Sequence, residues 1–144
     1  LYPQADIPVL QVSIQPSLGP EHQLAMGRAL APLREQGVLL IGSGSITHNL
    51  HDWRNYQDGK EAPYVRPFIQ WVEQKLGAND LPALLDYRKQ APFAAQAHPT
   101  DEHLLPLYFA MGAAGGERLG ARRIDAGIDM GFLAMDIYRF DGEE

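Results

Sequence analysis

The sequence predicts one α/β domain over residues 1–144, with a mixed, largely parallel sheet flanked by helices and with strands returning at the C-terminus. A strand–helix–strand order opens the chain, and this unit is the usual building block of parallel sheets. Apolar residues recur at helical spacing in two longer segments. The length of 144 residues, with 45% hydrophobic and 21% charged residues, is typical of a single globular domain.

The first three elements indicate where a ligand would gather. Residues 7–14 (IPVLQVSI) are rich in β-branched side chains and predict a strand. A helix is expected over residues 20–36, with Pro32 kinking its last turn. Residues 38–41 (VLLI) are typical of a strand buried on both faces of a parallel sheet. Because ligands gather beyond the carboxyl ends of such strands, His48 lies in the expected binding zone.

The rest of the chain predicts three helices and two strands. Residues 64–76 form an amphipathic helix whose inward face is Phe68, Trp71 and Val72. The other elements are a short helix over residues 81–90, a loop over 92–99, a helix over 101–116 that Thr100 caps and Pro106 bends, and strands over 117–124 and 132–138.

Composition excludes several classes of function. The chain has no cysteine, which rules out disulfides, thiolate nucleophiles and zinc fingers and agrees with a cytoplasmic enzyme. A net charge of −6 argues against a nucleic-acid partner, since phosphate binding requires clustered Lys and Arg. No apolar run of about 18 residues is present, so neither a membrane span nor a membrane partner is expected.

Two of the five histidines stand in positions suited to chemistry. His48 follows a buried strand and a turn with two glycines, which lets the backbone approach a ligand closely, and its imidazole suits general acid/base work near neutral pH. His103 is expected in the first turn of its helix, where the dipole favours the neutral ring that a metal requires. For His22 and His51 an ordinary surface role is expected. An exposed polar role at a helix start stays equally open for His98 and His103.

Three familiar catalytic motifs are not satisfied. The turn over residues 42–45 (GSGS) begins like a phosphate-binding loop, but Thr47 stands where a third glycine is needed and no GK[ST] follows. The absence of GxSxG removes the nucleophile elbow of α/β-hydrolases. Ser43 and Ser45 could imitate a Ser–His pair with His48, but no third member is identifiable.

The segment around His48 resembles a known family. GVLLIGSGSITHNL (residues 37–50) is similar to the strand and turn that carry an active-site histidine in the LigB-type class III extradiol dioxygenases, above all in their DOPA-dioxygenase-like branch. HPTDEHLLPLYFAMGAAG (98–115) and YPQADIPVLQVSIQPSLGPEHQLAMGRALAPLRE (2–35) support the resemblance in order and spacing. The similarity runs through nearly the whole chain, and the GSGxxxHNL and PTxEHxLPL patterns together are specific.

The resemblance implies an enzyme that opens a catecholic ring beside its two hydroxyls with O2, at a non-haem Fe(II) that zinc can replace. His48 matches the family's acid/base histidine, which is sometimes described as a metal ligand. His103 matches a metal-ligand position, with Glu102 as an outside candidate, and His98 is assigned to substrate binding. More distant members carry a carboxylate at the position of His103, which gives a 2-His-1-carboxylate site.

The resemblance also implies that the chain is the C-terminal portion of the family's catalytic domain. The other two metal-binding histidines of the family lie in an N-terminal half, in an HGSP-like turn and a SAHW-like strand end, and neither motif occurs here. The expected partners are a small catecholic substrate, O2 and that N-terminal half, with homo-oligomerisation left open. We expect the chain alone to be inactive. Two alternatives are a non-catalytic α/β module of the same fold, serving in assembly or ligand binding, and a metal-dependent hydrolase.

Overall fold

The computed structural model describes residues 3–56, 60–116, 118–124 and 126–141. These residues contain helices and strands in the order α1 (Gly19–Leu30), α2 (Val65–Gly77), α3 (Leu81–Leu85), α4 (Tyr87–Gln90), α5 (Ala94–Ala97), α6 (Leu105–Ala113), β1 (Ala121–Ile124), β2 (Ile128–Asp129), β3 (Leu133–Ala134) and β4 (Ile137–Phe140). Short 3-10 segments cover Pro16–Leu18, Ala31–Gln36 and Leu50–Asp52. The mixed helix and strand content agrees with an α/β chain.

The predicted sheet is the largest departure from expectation. In the described residues β1 pairs with β4 and β2 with β3, and both pairs are antiparallel, so a largely parallel sheet is not confirmed. Residues 7–14 and 38–41 form no strand. A strand requires a neighbour to accept and donate its backbone hydrogen bonds. Among the described residues, no other segment pairs with either one.

The C-terminal strands are shorter than predicted. The first one begins at Ala121, and residue 117, where it was expected to start, lies outside the described residues. The expected strand over 132–138 divides into β3 and β4, because the chain changes partner between them. There the N–H of Met135 donates to the carbonyl of Gly127, outside both ladders.

The amphipathic helix is confirmed as α2. It buries Phe68 and Val72, as predicted, whereas Trp71 is half-buried at its edge. Within the described residues no helix has the length and apolar character needed to cross a bilayer.

Prolines and turns set the ends of the other helices. α-Helical bonding stops at Leu30 and a tighter 3-10 segment follows, since Pro32 has no N–H to continue the ladder. The helix expected over 81–90 breaks at Asp86 into α3 and α4, and the expected loop over 92–99 contains α5.

α6 begins later than predicted. Pro106 stands in its first turn, where a missing N–H costs nothing, so this proline starts the helix and does not bend it. The hydroxyl of Thr100 donates to the carboxylate of Glu102 at 2.8 Å and caps no helix. Residues 101–104 form a turn ahead of α6. The placement of His103 in the first helical turn, with the dipole effect expected there, was therefore wrong.

Two glycines bring α1 and α6 into backbone contact. A Cβ added at Gly27 would lie 2.1 Å from the carbonyl oxygen of Phe109, and one added at Gly112 would lie 2.1 Å from that of Leu24. Such an approach is possible only without side chains. This contact fixes α6, and with it the turn that carries His103.

We expect Gly27→Ala and Gly112→Ala each to lower the free energy of unfolding by about 1–3 kcal/mol, because an added methyl group must push two packed helices apart. Gly77→Ala is the matched control, since a Cβ there meets nothing within 4 Å, and it should be neutral or stabilising by about 0.5–1 kcal/mol. Urea unfolding measures all three. Equal stabilities for Gly27→Ala and Gly77→Ala would contradict the close crossing.

Candidate active site

The structure brings together the two histidines that the sequence singled out. The rings of His48 and His103 stack with their centroids 3.5 Å apart and their planes 10° from parallel. His103 lies near the surface, with 39% of its side chain exposed. Two segments far apart in the sequence therefore meet at one pair of imidazoles, which can face a ligand from one side.

The turn before His48 lies directly against the turn that carries His103. A Cβ at Gly44 would stand 2.2 Å from the carbonyl oxygen of His103, and one at Gly42 would stand 2.1 Å from that of Pro106. The N–H of Ser45 donates to the same His103 carbonyl at 2.8 Å. The two glycines predicted to let the backbone approach a ligand thus let it approach the segment that carries His103.

Thr47 anchors the His48 segment on one side. Its side chain is fully buried; the hydroxyl donates to the carbonyl of Phe132 at 2.8 Å and accepts from the N–H of Ala134 at 2.9 Å. The hydroxyl of Ser45 donates to the Thr47 carbonyl at 2.8 Å. That serine is committed to the backbone, so the Ser–His pair considered from the sequence does not form with it.

His98 supports the same segment from the other side. Its ring is fully buried, and Nε2 lies 2.7 Å from the carbonyl oxygen of Ile46, so Nε2 carries the proton and donates. The N–H of His48 donates to the carbonyl of Ala97 at 2.8 Å. Burial lowers the pKa of His98 to about 4, which keeps the ring neutral. The substrate contact predicted for His98 finds no exposed surface here and has no support in this geometry.

Three side chains that no sequence motif signals hold the turn before His103. Arg88 donates to the carbonyl of His98 at 2.6 Å and forms an ion pair with Asp101. The hydroxyl of Tyr87, which is almost fully buried, donates to the same carboxylate at 2.6 Å. The two residues of α4 therefore fix both ends of a four-residue turn, and only the folded chain reveals that connection.

Burial favours the neutral form of His48 in the stacked pair. It lowers the pKa of His48, and the neighbouring His103 lowers this pKa further, against a smaller opposing effect of Glu102. Hydrogen bonds from Thr100 and from its own backbone lower the pKa of Glu102, whose carboxylate lies 3.5 Å from Nδ1 of His103. At neutral pH His48 is therefore uncharged and can accept a proton.

The side chains of His103 and Glu102 are suited to be some of the ligands of a non-haem metal. An exposed imidazole and an ionised carboxylate, His103 and Glu102, are ligands that such metals take. Imidazole binds a metal in its ring plane at about 2 Å, so one ion cannot lie in the planes of both stacked rings. That geometry favours unlike roles for His48 and His103. Among the described residues, no group of three His, Asp or Glu side chains could hold a metal.

The stacked pair lies apart from a sizeable cavity. This cavity, of about 520 Å³, is lined by Tyr56, Arg66, Arg123 and Asp136, among others, and neither His48 nor His103 borders it. The histidine pair therefore lies outside this cavity, with His48 half-buried and His103 partly exposed.

His98 should make stability depend on pH. The unfolded chain takes up its proton near pH 6.5 and the folded one only near pH 4. Between these values the unfolded state binds more protons, so the free energy of unfolding should fall as pH drops through this window, by up to about 3 kcal/mol. The amide of His98→Gln can still donate to the carbonyl of Ile46 but does not titrate. Urea unfolding of this variant at pH 7 and at pH 4.5 should therefore show a smaller fall in the free energy of unfolding than the wild type.

His51→Gln is the control for this measurement. His51 is exposed in the 3-10 segment Leu50–Asp52, so this variant should follow the pH dependence of the wild type. An unchanged pH dependence in His98→Gln would show that the buried ring is not the source.

The chain is similar to a family of ring-opening enzymes. The family model described as the catalytic LigB subunit of aromatic ring-opening dioxygenase matches residues 1–126. A crystal structure of an uncharacterized protein from Escherichia coli K12 superposes with a TM-score of 0.78 at 33% sequence identity, covering 95% of this chain and 57% of that one.

Curated relatives carry a more specific name. The 4,5-DOPA dioxygenase extradiol of Portulaca grandiflora is 45% identical over 139 residues, which is 96% of this chain and 51% of the relative. The proteins of the same name from Beta vulgaris and Escherichia coli K12 are 42% and 35% identical, over 97% and 94% of this chain and 52% and 50% of their own lengths. The chain spans about half the length of the curated relatives it matches.

Proposed function

Since the chain belongs to the LigB family of catalytic subunits of aromatic ring-opening dioxygenases, we propose that it supplies part of the active site of an extradiol dioxygenase that opens a catecholic ring with O2. The stacked pair of His48 and His103 carries this proposal. It joins two segments that are far apart in the sequence, and each segment contains one of the family-like motifs. The names of the relatives from Portulaca and Beta support a catecholic substrate.

We assign unlike roles to the two histidines. His103, exposed beside the carboxylate of Glu102, is the ligand that this chain gives to a non-haem Fe(II), for which zinc can stand in. When bound, such a metal supplies Lewis acidity and holds the reactants adjacent. His48 accepts the proton that leaves a catechol hydroxyl and returns it later, because burial keeps its ring neutral beforehand.

The site needs metal donors beyond those that the described residues supply. We propose that the chain is the C-terminal portion of the catalytic domain and that the remaining ligands belong to another part, in line with its span of about half the relatives' length. Homo-oligomerisation and a cytoplasmic location stay predictions.

A non-catalytic module of the same fold is the second candidate. It is favoured by the fact that the described residues hold no group of three possible metal ligands. A metal-dependent hydrolase, the other alternative considered from the sequence, has no support from the family.

Oxygen uptake with a panel of catechols tests the proposal. The 144-residue chain with Fe(II) should open no ring, whereas the same chain joined to the complementary part of the domain should consume O2 and form a ring-opened product. Tyrosine, which lacks the second hydroxyl, is the control and should not react. Turnover by the chain alone would refute the proposal that it holds only part of the active site. A complete domain that opens no ring would favour the second candidate, the non-catalytic module.

A further inference from the structure

Two segments of the chain expose apolar side chains to an unusual degree. In residues 7–12 the adjacent Val9 and Leu10 are 88% and 92% exposed, so this segment is uncovered on every side. In residues 38–41 Leu39 is 66% exposed, and Val38 and Ile41 are also exposed. Single exposed apolar residues are ordinary, but two whole apolar segments mark a surface for interaction. We call residues 7–12 and 38–41 the open segments.

Most of the open segments also make no backbone hydrogen bond to a described residue; the exception is Val38, whose N–H donates to the carbonyl of Leu33 at 3.2 Å. Among the described residues, neither residues 7–12 nor residues 39–41 make a backbone–backbone hydrogen bond. Their composition is that of strands: IPVLQV and VLLI contain β-branched and aliphatic residues and no charge. Natural sheet edges that stay in solvent are protected by charged residues, prolines or β-bulges. The only such feature here is Pro8, so the open segments have the character of strands that pair with something.

The second open segment runs directly into the candidate active site. Residues 38–41 are followed by Gly42 and Gly44, which lie against the backbones of Pro106 and His103. A chain that paired with residues 38–41 would end beside the stacked imidazoles. Among the described residues, the surface without a strand partner therefore continues into the site that has fewer than three possible metal ligands.

We propose that the open segments are the docking face for β-strands of the complementary part of a LigB-family domain. The relatives have about as much chain again outside their match as within it, which is enough to supply such strands. Strand addition satisfies the backbone and buries alternate apolar side chains. The proposal rests on the proposed function in one respect: the docked part is expected to bring the remaining metal ligands.

A second copy of this chain is the competing occupant. Its own open segments could pair with these, since uncharged apolar edges readily join. A second copy would bring only another His48 and His103, however, and not the two further histidines of HGSP-like and SAHW-like motifs that the resemblance implies for the site. The two occupants can be told apart by experiment. A second copy would form a dimer, and protection of the backbone amides against hydrogen exchange would then increase with the concentration of the chain.

A chimera tests the docking face. The portion that the Escherichia coli relative carries outside its match is fused ahead of this chain, and hydrogen exchange is compared with that of the chain alone. In the chain alone, the amides of residues 9–12 and 39–41 should exchange at the rate of unstructured peptide. In the chimera they should exchange at least a hundredfold more slowly. A second chimera with the Portulaca grandiflora portion repeats the measurement.

Substitutions in the chimera locate the effect. Leu10→Lys and Leu39→Lys should each reduce the protection at least tenfold, because a charge then enters the docked surface. Ile137→Lys is the matched control, since Ile137 is 57% exposed on β4, and it should leave protection unchanged. Equal behaviour of the three variants would overturn the proposal.

The remaining outcomes are equally decisive. Free exchange of these amides in both chimeras, or protection in the chain alone that grows with its concentration and tracks a dimer, would overturn the proposal. Protected amides in a chimera that opens no catechol ring would support the docking face and refute the proposed function. Ring opening by a chimera whose open segments exchange freely would support the proposed function and refute the docking face.

Discussion

Replacing His103 by alanine is expected to abolish metal retention in the assembled domain, whereas His48→Ala should keep the metal and lower turnover by about 10²–10⁴-fold. The two rings are stacked, so one ion cannot lie in both ring planes, and the ring of His103, which is partly exposed beside Glu102, is the one placed to ligate. His48 is partly buried and uncharged, which suits the transfer of a proton.

Metal content after gel filtration and kcat with a catechol separate the two roles. His51→Ala is the control, because His51 is exposed in the neighbouring 3-10 segment and does not stack on either ring. Normal metal content and rate in both variants would refute the assignment. Loss of metal in His48→Ala would instead make that residue a second ligand, and the stacked geometry would then not be that of the working enzyme.

Gly44→Ala is expected to disable the site without removing any chemical group from it. The added methyl group would stand 2.2 Å from the carbonyl oxygen of His103, so the two active-site segments must separate. A displacement of catalytic groups by about 1 Å can lower the catalytic rate about a hundredfold. We therefore expect kcat to fall at least a hundredfold, with a loss of about 1–3 kcal/mol in the free energy of unfolding.

Gly77→Ala again serves as the control, because its methyl group meets no atom within 4 Å. The decisive comparison is kcat at a temperature where both variants remain folded by circular dichroism. A Gly44→Ala enzyme with wild-type kcat would show that the close contact between the two turns does not position the histidines.

The local elements of the fold were predictable because local sequence determines them. The apolar spacing of α2 marks the face that carries Phe68 and Val72, and both are buried. The start of α6 was misjudged, since a proline within a helical pattern can begin a helix as well as bend one, and Pro106 begins it.

The sheet was not predictable from local sequence. Runs of β-branched residues favour strands, but a strand forms only where another segment pairs with it. In the described part of the chain, residues 38–41 have no such partner. The hydrogen bonds that tie Arg88 and Tyr87 to the turn before His103 likewise join positions with no periodic relation.

The site was half predictable. His48 and His103 stood out by their neighbourhood and by family-like motifs, but their direct stacking depends on the contact of Gly44 with the His103 backbone, which follows only from the folded chain. The buried position of His98 could likewise not be seen in the sequence, because Pro99 and the polar residues that follow it are typical of an exposed turn.

The fate of molecular oxygen tests the central claim most directly. The assembled domain is supplied with ¹⁸O2 and a catechol in ordinary water, and the ring-opened product is trapped with borohydride before its carbonyl oxygen can exchange. The dioxygenase reaction predicts both labelled atoms in one product molecule, and no product when His103 is replaced by alanine. A product that takes its oxygen from water, or O2 left unconsumed by a folded and metal-loaded domain, would contradict that claim.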